Sequence, residues 1–385
     1  MKIAIVGTGA MGSVYAGLFA AAGHEVWAID AWREHVEAMQ KKGLRLEGAS
    51  GDRTVKVHAT TEAKDAGPCD LVVLATKAMH VSQAASSLKP LLKADTPVLS
   101  IQNGLGGPET AASILGKEKV MVGVVGGFGA SMKAPGHAHH NGMELVRLGE
   151  FGGPITPRLK QVEDLWKGAG FKVKVFDDID QLVWEKLICN CAYSGPCGLA
   201  EATIAEVMSD PDLSWISAQC ASEGFAVAKK KGVKLGFDDP VAYVRDFGSK
   251  IPNARPSVLL DRMLKKKSEI DVINGSIQAN EQFTQLPADD PKAMRFVWIT
   301  ARPATLEQAP EAGMGAKGIV ASQSERRTAM RRRRQAGRPS SPAQSPDRAA
   351  DTSAKGHPID SSASPPRGRS PHRRYRRPLA RMSAL

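Results

Sequence analysis

Gly7, Gly9 and Gly12 in "GTGAMG" have the G-x-G-x-x-G spacing of a turn that can meet a pyrophosphate. Gly7 permits the tight turn, Gly9 lets the backbone come close to the phosphates, and Gly12 lets the following helix pack on the sheet. Thr8, Ala10 and Met11 complete the loop, whose amides lie at a helix N-terminus where negative charge is favoured. The spacing alone is a weak signal, and a glycine-rich turn in a non-binding α/β domain is the competing reading. Here a strand precedes the turn and a helix follows it. Asp30 then closes the next apolar run, "HEVWAID", so the whole βαβ unit fits. A carboxylate at Asp30 can hydrogen-bond ribose hydroxyls and repels a 2′-phosphate, which leans toward NAD. Arg33 is near enough to accept a 2′-phosphate, which leaves NADP open; an exposed helix-start arginine is the blander reading.

A second chemical signal is "WEKLICN", residues 184–190. Lys186 is enclosed by Trp184, Leu187 and Ile188, and Asn190 stands one helical turn on, on the same face. Pattern alone favours a lysine that snorkels from an apolar helix. Lys77 and Asn103 end two further apolar runs, "LATK" and "SIQN", at the sheet edge where doubly wound folds bind ligands. Lys77 is equally readable as an exposed strand-end residue. "HAHH" at 137–140 invites a metal, but no carboxylate or cysteine stands at set spacing; a loop before the "MELVRLG" strand is expected, and no metal.

These residues need elements to hold them. Apolar β-rich runs at 2–6, 24–30, 69–77, 96–104 and 119–130 alternate with helical stretches, which argues a parallel α/β sheet covered on both faces. From about residue 180 the β-rich runs stop and helical patterns follow at 181–194, 201–208, 213–231, 238–249 and 257–280. The expected architecture is α/β: a Rossmann-type dinucleotide-binding domain over 1–178, an all-α substrate domain over 179–290, and a disordered Arg-rich tail over 291–385.

Charge agrees with that division. Residues 321–385 carry 15 Arg and one Lys against four acidic groups, a net of +12, while the preceding 320 residues carry 36 basic and 36 acidic groups. The folded part therefore shows no bias toward nucleic acid or acidic membranes. Five cysteines without framework spacing suggest a reducing, cytoplasmic setting. The start lacks the features of a signal peptide, and no 18-residue apolar run suggests a membrane span.

With "GTGAMG", "LATKA", "QNGLG", "WEKLICN" and "RPSVLLDRMLKKKSEIDVINGSI" in that order, the chain resembles the ketopantoate reductase family over about residues 1–277. The last motif supplies Ser257, Glu269, Asp271 and Asn274. The resemblance implies a Rossmann domain and a helical domain with the site in the cleft between them. It implies hydride transfer from NADPH or NADH to the C2 ketone of a small 2-oxo acid, 2-dehydropantoate giving pantoate. Lys186 would be the catalytic acid, suited to the charge that hydride delivery builds on oxygen. Glu269 would bind substrate hydroxyls beside it and reach the cofactor. Asn103 would contact cofactor and substrate, and Lys77 the cofactor. Asn190, Ser194 and Ser257 would bind substrate, Ser257 at its carboxylate.

Two departures stand out. The family commonly has an asparagine, then Pro, where this chain has Ser194 and Gly195, so another 2-oxo acid is an alternative substrate. The segment after residue 277 is foreign to the family, and a reading-frame change near 278–320 is one account of it. A β-hydroxyacid-type dehydrogenase is a further alternative, with a different lysine motif. A nucleic-acid-binding protein using the basic tail is another, though no specific reader motif is present. A homodimer is left open as the assembly.

Overall fold

The computed structural model describes residues 1–280, Phe128 and Met143 excepted. The tail from 291, read above as disordered, lies outside the described residues. The first half runs β1 (Lys2–Val6), α1 (Ala10–Ala21), β2 (Glu25–Ile29), α2 (Arg33–Lys42), β3 (Leu44–Gly48), β4 (Arg53–Val55), β5 (His58–Thr60), α3 (Ala63–Ala66), β6 (Leu71–Leu74), α4 (Val81–Ser87), β7 (Val98–Ser100), α5 (Gly107–Leu115), β8 (Val120–Val125), β9 (Gly129–Ala134), β10 (His137–Gly142), β11 (Leu145–Glu150), α6 (Pro157–Gly168) and β12 (Lys172–Val175).

The apolar runs become the centre of one sheet, in the order β12-β11-β8-β7-β6-β1-β2-β5. Its neighbours pair parallel except β8 with β11. Every residue of β6, β7 and β8 is buried, as continuous Val/Ile/Leu runs require when helices cover both faces. From β5 to β8 the spatial order is that of a dinucleotide-binding sheet, and it reverses between β1 and β6. Gly7, just past β1, faces the chain just past β6 across that switch point: a Cβ on Gly7 would lie 2.6 Å from the Thr76 backbone nitrogen.

A second sheet, β4-β3-β10-β9, corrects one expectation. "HAHH" is not a loop but most of β10, parallel to β3. The carboxylate absent along the sequence arrives across that pairing: Glu47 Oε2 lies 3.0 Å from His137 Nε2, and Glu47 Oε1 lies 3.1 Å from His139 Nδ1. Among the described residues no group of three or more His, Cys, Asp or Glu is arranged to hold a metal ion. This sheet lies against α1, where Gly17 leaves room for Leu46; a Cβ there would meet the Leu46 side chain at 2.2 Å. On the large sheet's side of α1, Tyr15 and Phe19 pack edge-on against Trp166, with ring centroids 5.2 and 5.1 Å apart.

The second half is helical: α7 (Ile179–Ala200), α8 (Ile204–Ser209), α9 (Pro211–Lys230), α10 (Pro240–Lys250), α11 (Ser257–Met263) and α12 (Asn274–Gln278). Starts are chemically marked: the Asp178, Asp210 and Asp239 carboxylates accept from first-turn amides, and Thr203 forms a capping box with Glu206. Helix α7 is buried on nearly all sides and packs along α9 at the centre of this half. It runs past the expected end at 194 and carries Pro196 in its interior. The single helix expected over 257–280 is instead two. Lys265 takes a left-handed backbone, φ 55°, while Lys266 N–H donates to Asp261 O at 2.8 Å and Lys265 N–H to Arg262 O at 3.0 Å. That is a Schellman stop. The stop leaves Glu269 in a turn between the helices rather than on a helix face. No described helix is long and apolar enough to cross a membrane. All five cysteines are buried, and none is in a disulfide among the described residues.

Candidate active site

The glycine loop is built as its spacing requires. Gly7 has φ +90°, a conformation that penalises any side chain. A Cβ on Gly12 would fall 2.0 Å from Gly7 O, so α1 seats directly on the turn only because Gly12 has none. A Cβ on Gly9 would meet nothing within 4 Å, so this residue faces open space. No side chain caps α1 at Gly9, which leaves its first amides to a ligand. The buried Thr8 hydroxyl has no hydrogen-bond partner. An open glycine, uncapped amides and an orphaned hydroxyl together fit a dinucleotide's phosphates. Asp30 directly follows β2, and its Oδ1 accepts from Trp32 N–H at 2.9 Å. Arg33, the first residue of α2, is exposed.

Lys186 projects from α7 into a cleft at the carboxyl ends of β7 and β8, lined also by Gln102, Asn103, Glu109, Asp180 and Asn190. Its Nζ donates to Asn103 Oδ1 at 2.7 Å. Asn103 Nδ2 faces Glu269 Oε2 at 3.5 Å. The other Glu269 oxygen accepts from Ala78 N–H at 2.9 Å, which fixes the carboxylate at the start of a turn beside Lys77. Burial pulls the Lys186 ammonium down to about 8; the Glu269 carboxylate opposes that fall and Arg147 adds to it. An ammonium with its value lowered in this way can give up a proton more readily than a solvated lysine.

Lys77 joins the same neighbourhood. Its Nζ meets Asp261 Oδ2 at 2.5 Å and the Lys267 carbonyl at 3.1 Å. Gly104, at φ +79°, lets the loop after β7 touch the turn before α12: Leu105 N–H donates to Val272 O at 3.0 Å, and a Cβ on Gly104 would lie 2.3 Å from that oxygen. The structure thus brings Asn103, Lys186 and Asn190 to one cleft, with Glu269 tied to it through Asn103 and to the chain beside Lys77 through Ala78. Ser194, a further turn along α7, is buried and not part of the cleft lining; Ser257 is exposed at the start of α11. Asn274, fully buried, donates from Nδ2 to Cys191 O at 3.0 Å and ties α12 to α7.

Four residues of this neighbourhood are absent from the sequence reading. Asp261 holds Lys77, Arg147 bears on Lys186, and Glu109 and Asp180 line the cleft. Burial raises the Asp180 carboxyl, and the charges of Asp178 and Glu109 raise it further. Only Arg147 had a local signal, a charge inside the apolar strand "LVRLG".

Comparison with known proteins gives a consistent picture. Residues 3–153 match the family model described as ketopantoate reductase PanE/ApbA, and residues 178–281 match that of its C-terminal part. A 2-dehydropantoate 2-reductase of Pyrococcus horikoshii is 31% identical over 288 residues, covering 75% of this chain and 93% of its own length. A crystal structure of a PanE/ApbA family ketopantoate reductase from Ralstonia eutropha JMP134 superposes with a TM-score of 0.71 at 30% identity, over 85% of this chain and 100% of that one. A D-mandelate dehydrogenase, in a ternary structure with NADH and anilino(oxo)acetate, superposes with a TM-score of 0.72 at 25% identity, over 79% of this chain and 97% of that one.

Proposed function

Because the chain belongs to the ketopantoate reductase PanE/ApbA family, we propose that it reduces 2-dehydropantoate to pantoate with a nicotinamide dinucleotide. The observation that carries this reading is Lys186, half-buried in the cleft and hydrogen-bonded to Asn103, with Glu269 beside both.

The roles follow from charge. In this reading residues 1–178 bind the dinucleotide on the loop Gly7, Thr8, Gly9, Ala10, Met11 and Gly12, with Asp30 at the adenosine ribose. Residues 179–290 bring substrate to it. The bound dinucleotide supplies the hydride. The substrate ketone oxygen gains negative charge as its carbon is reduced, and Lys186 Nζ stabilises that charge and delivers the proton that completes the hydroxyl. Asn103 Oδ1 accepts one ammonium hydrogen and so aims the other two. Glu269 keeps the ammonium charged despite its burial. Asn190, on the Lys186 face of α7, orients substrate.

NADPH and NADH both suit the loop; the Asp30 carboxylate favours NADH and the family resemblance favours NADPH. A second reading, reduction of a bulkier 2-oxo acid, is favoured by the mandelate dehydrogenase likeness. An assay of NADH and NADPH oxidation against 2-dehydropantoate and a panel of 2-oxo acids tests both. Turnover fastest with 2-dehydropantoate supports the first reading, and an aryl or branched 2-oxo acid preferred by tenfold or more, about 1.4 kcal/mol, supports the second.

A further inference from the structure

His35 lies on α2, away from the Lys186 cleft, and is fully buried. Its ring is held from both edges. Nδ1 accepts from Gly136 N–H at 2.8 Å, in the turn between β9 and β10. A nitrogen that accepts carries no proton, so the neutral ring bears its hydrogen on Nε2. That nitrogen lies 2.9 Å from the Thr8 carbonyl and 3.4 Å from Ser13 Oγ, and donates to the carbonyl. Ser13 Oγ donates to the same carbonyl at 2.7 Å. The ring also stacks on Trp32, centroids 5.1 Å apart.

The Thr8 oxygen is therefore pinned inward by two donors. In a trans peptide the carbonyl and the next N–H point in opposite directions. Fixing Thr8 O toward His35 and Ser13 aims the Gly9 N–H the other way, away from both side chains, at a residue whose Cβ position is also open. We infer that His35 is a positioning residue for dinucleotide binding: with Ser13 it holds the Thr8–Gly9 peptide in the one orientation that presents its amide to the phosphates. The second sheet gains a purpose here, because its β9–β10 turn supplies the Gly136 amide that selects the ring's tautomer. This inference rests on the reading of the glycine loop as a dinucleotide site.

The test is direct binding of NADH and of NADPH to the full-length protein, by quenching of nicotinamide fluorescence, beside steady-state kinetics. His35→Phe keeps the ring and the stack on Trp32 but loses both hydrogen bonds. It should weaken binding about tenfold, from the loss of one to two hydrogen bonds, with the effect larger on KM for the dinucleotide than on kcat. His35→Gln, which can still reach Thr8 O, should recover most of that loss. Tight binding by folded His35→Phe overturns the inference. If His35→Phe does not fold, Ser13→Ala decides, since it removes one donor to Thr8 O with little change of shape; weaker binding supports the inference and unchanged binding overturns it. A wild-type protein that binds neither dinucleotide removes the loop reading and this inference together.

Discussion

In the proposed reaction Lys186 is the residue on which the chemistry turns, and its titration has a definite sign. Only the ammonium form can donate, and that form dominates below about 8. The rate of ketone reduction should accordingly hold at neutral pH and fall as pH rises through that value, read as kcat/KM against pH. Glu269 raises the Lys186 value, so Glu269→Gln should move the falling limb to lower pH. A limb that stays in place in the variant would remove Glu269 from this role. Lys186, Asn190 and Asn103 were legible in sequence because each ends or punctuates an apolar run, and the resemblance gave Glu269. Asp261 was not legible. It meets Lys77 across 184 residues of chain, and a contact of that range leaves no local pattern.

At the scale of elements, periodicity exposed the central strands and most helices because burial on both faces or on one stripe writes itself into the sequence. It missed β3, β4, β5, β10 and β12, and all of β9 beyond residue 130; these are short or partly exposed, most with charged or histidine side chains. It also ran one helix across 257–280, because the Schellman stop at Lys265 depends on a backbone angle and not on hydropathy. Two stability predictions belong here. Lys265→Gly relieves a left-handed non-glycine residue and should raise stability by about 1 kcal/mol in chemical denaturation. A lower midpoint would contradict the capping role. Gly104→Ala forces a Cβ to 2.3 Å from Val272 O and should cost about 1–3 kcal/mol while loosening the loop against Glu269's turn. An unchanged midpoint would show that this contact yields freely.

For the molecule as a whole, charge is divided sharply: 36 basic against 36 acidic groups before residue 321, and a net of +12 after it. Binding of a polyanion such as heparin should be confined to low salt and lost from a chain ending at residue 320, as counterion release requires. Retention by the shortened chain would place a basic surface in the folded part instead. The chain after β6 and β7 is tied to the second half by Lys77–Asp261, Ala78–Glu269 and Leu105–Val272, and Gly7 meets the same chain after β6 at Thr76. The proposed reaction needs both at once. The most direct measurement is NADH and NADPH oxidation with 2-dehydropantoate, wild type beside Lys186→Ala. The account predicts turnover by the wild type and a loss of kcat of at least about a hundredfold in the variant, with dinucleotide binding retained. Comparable kcat in Lys186→Ala would contradict it.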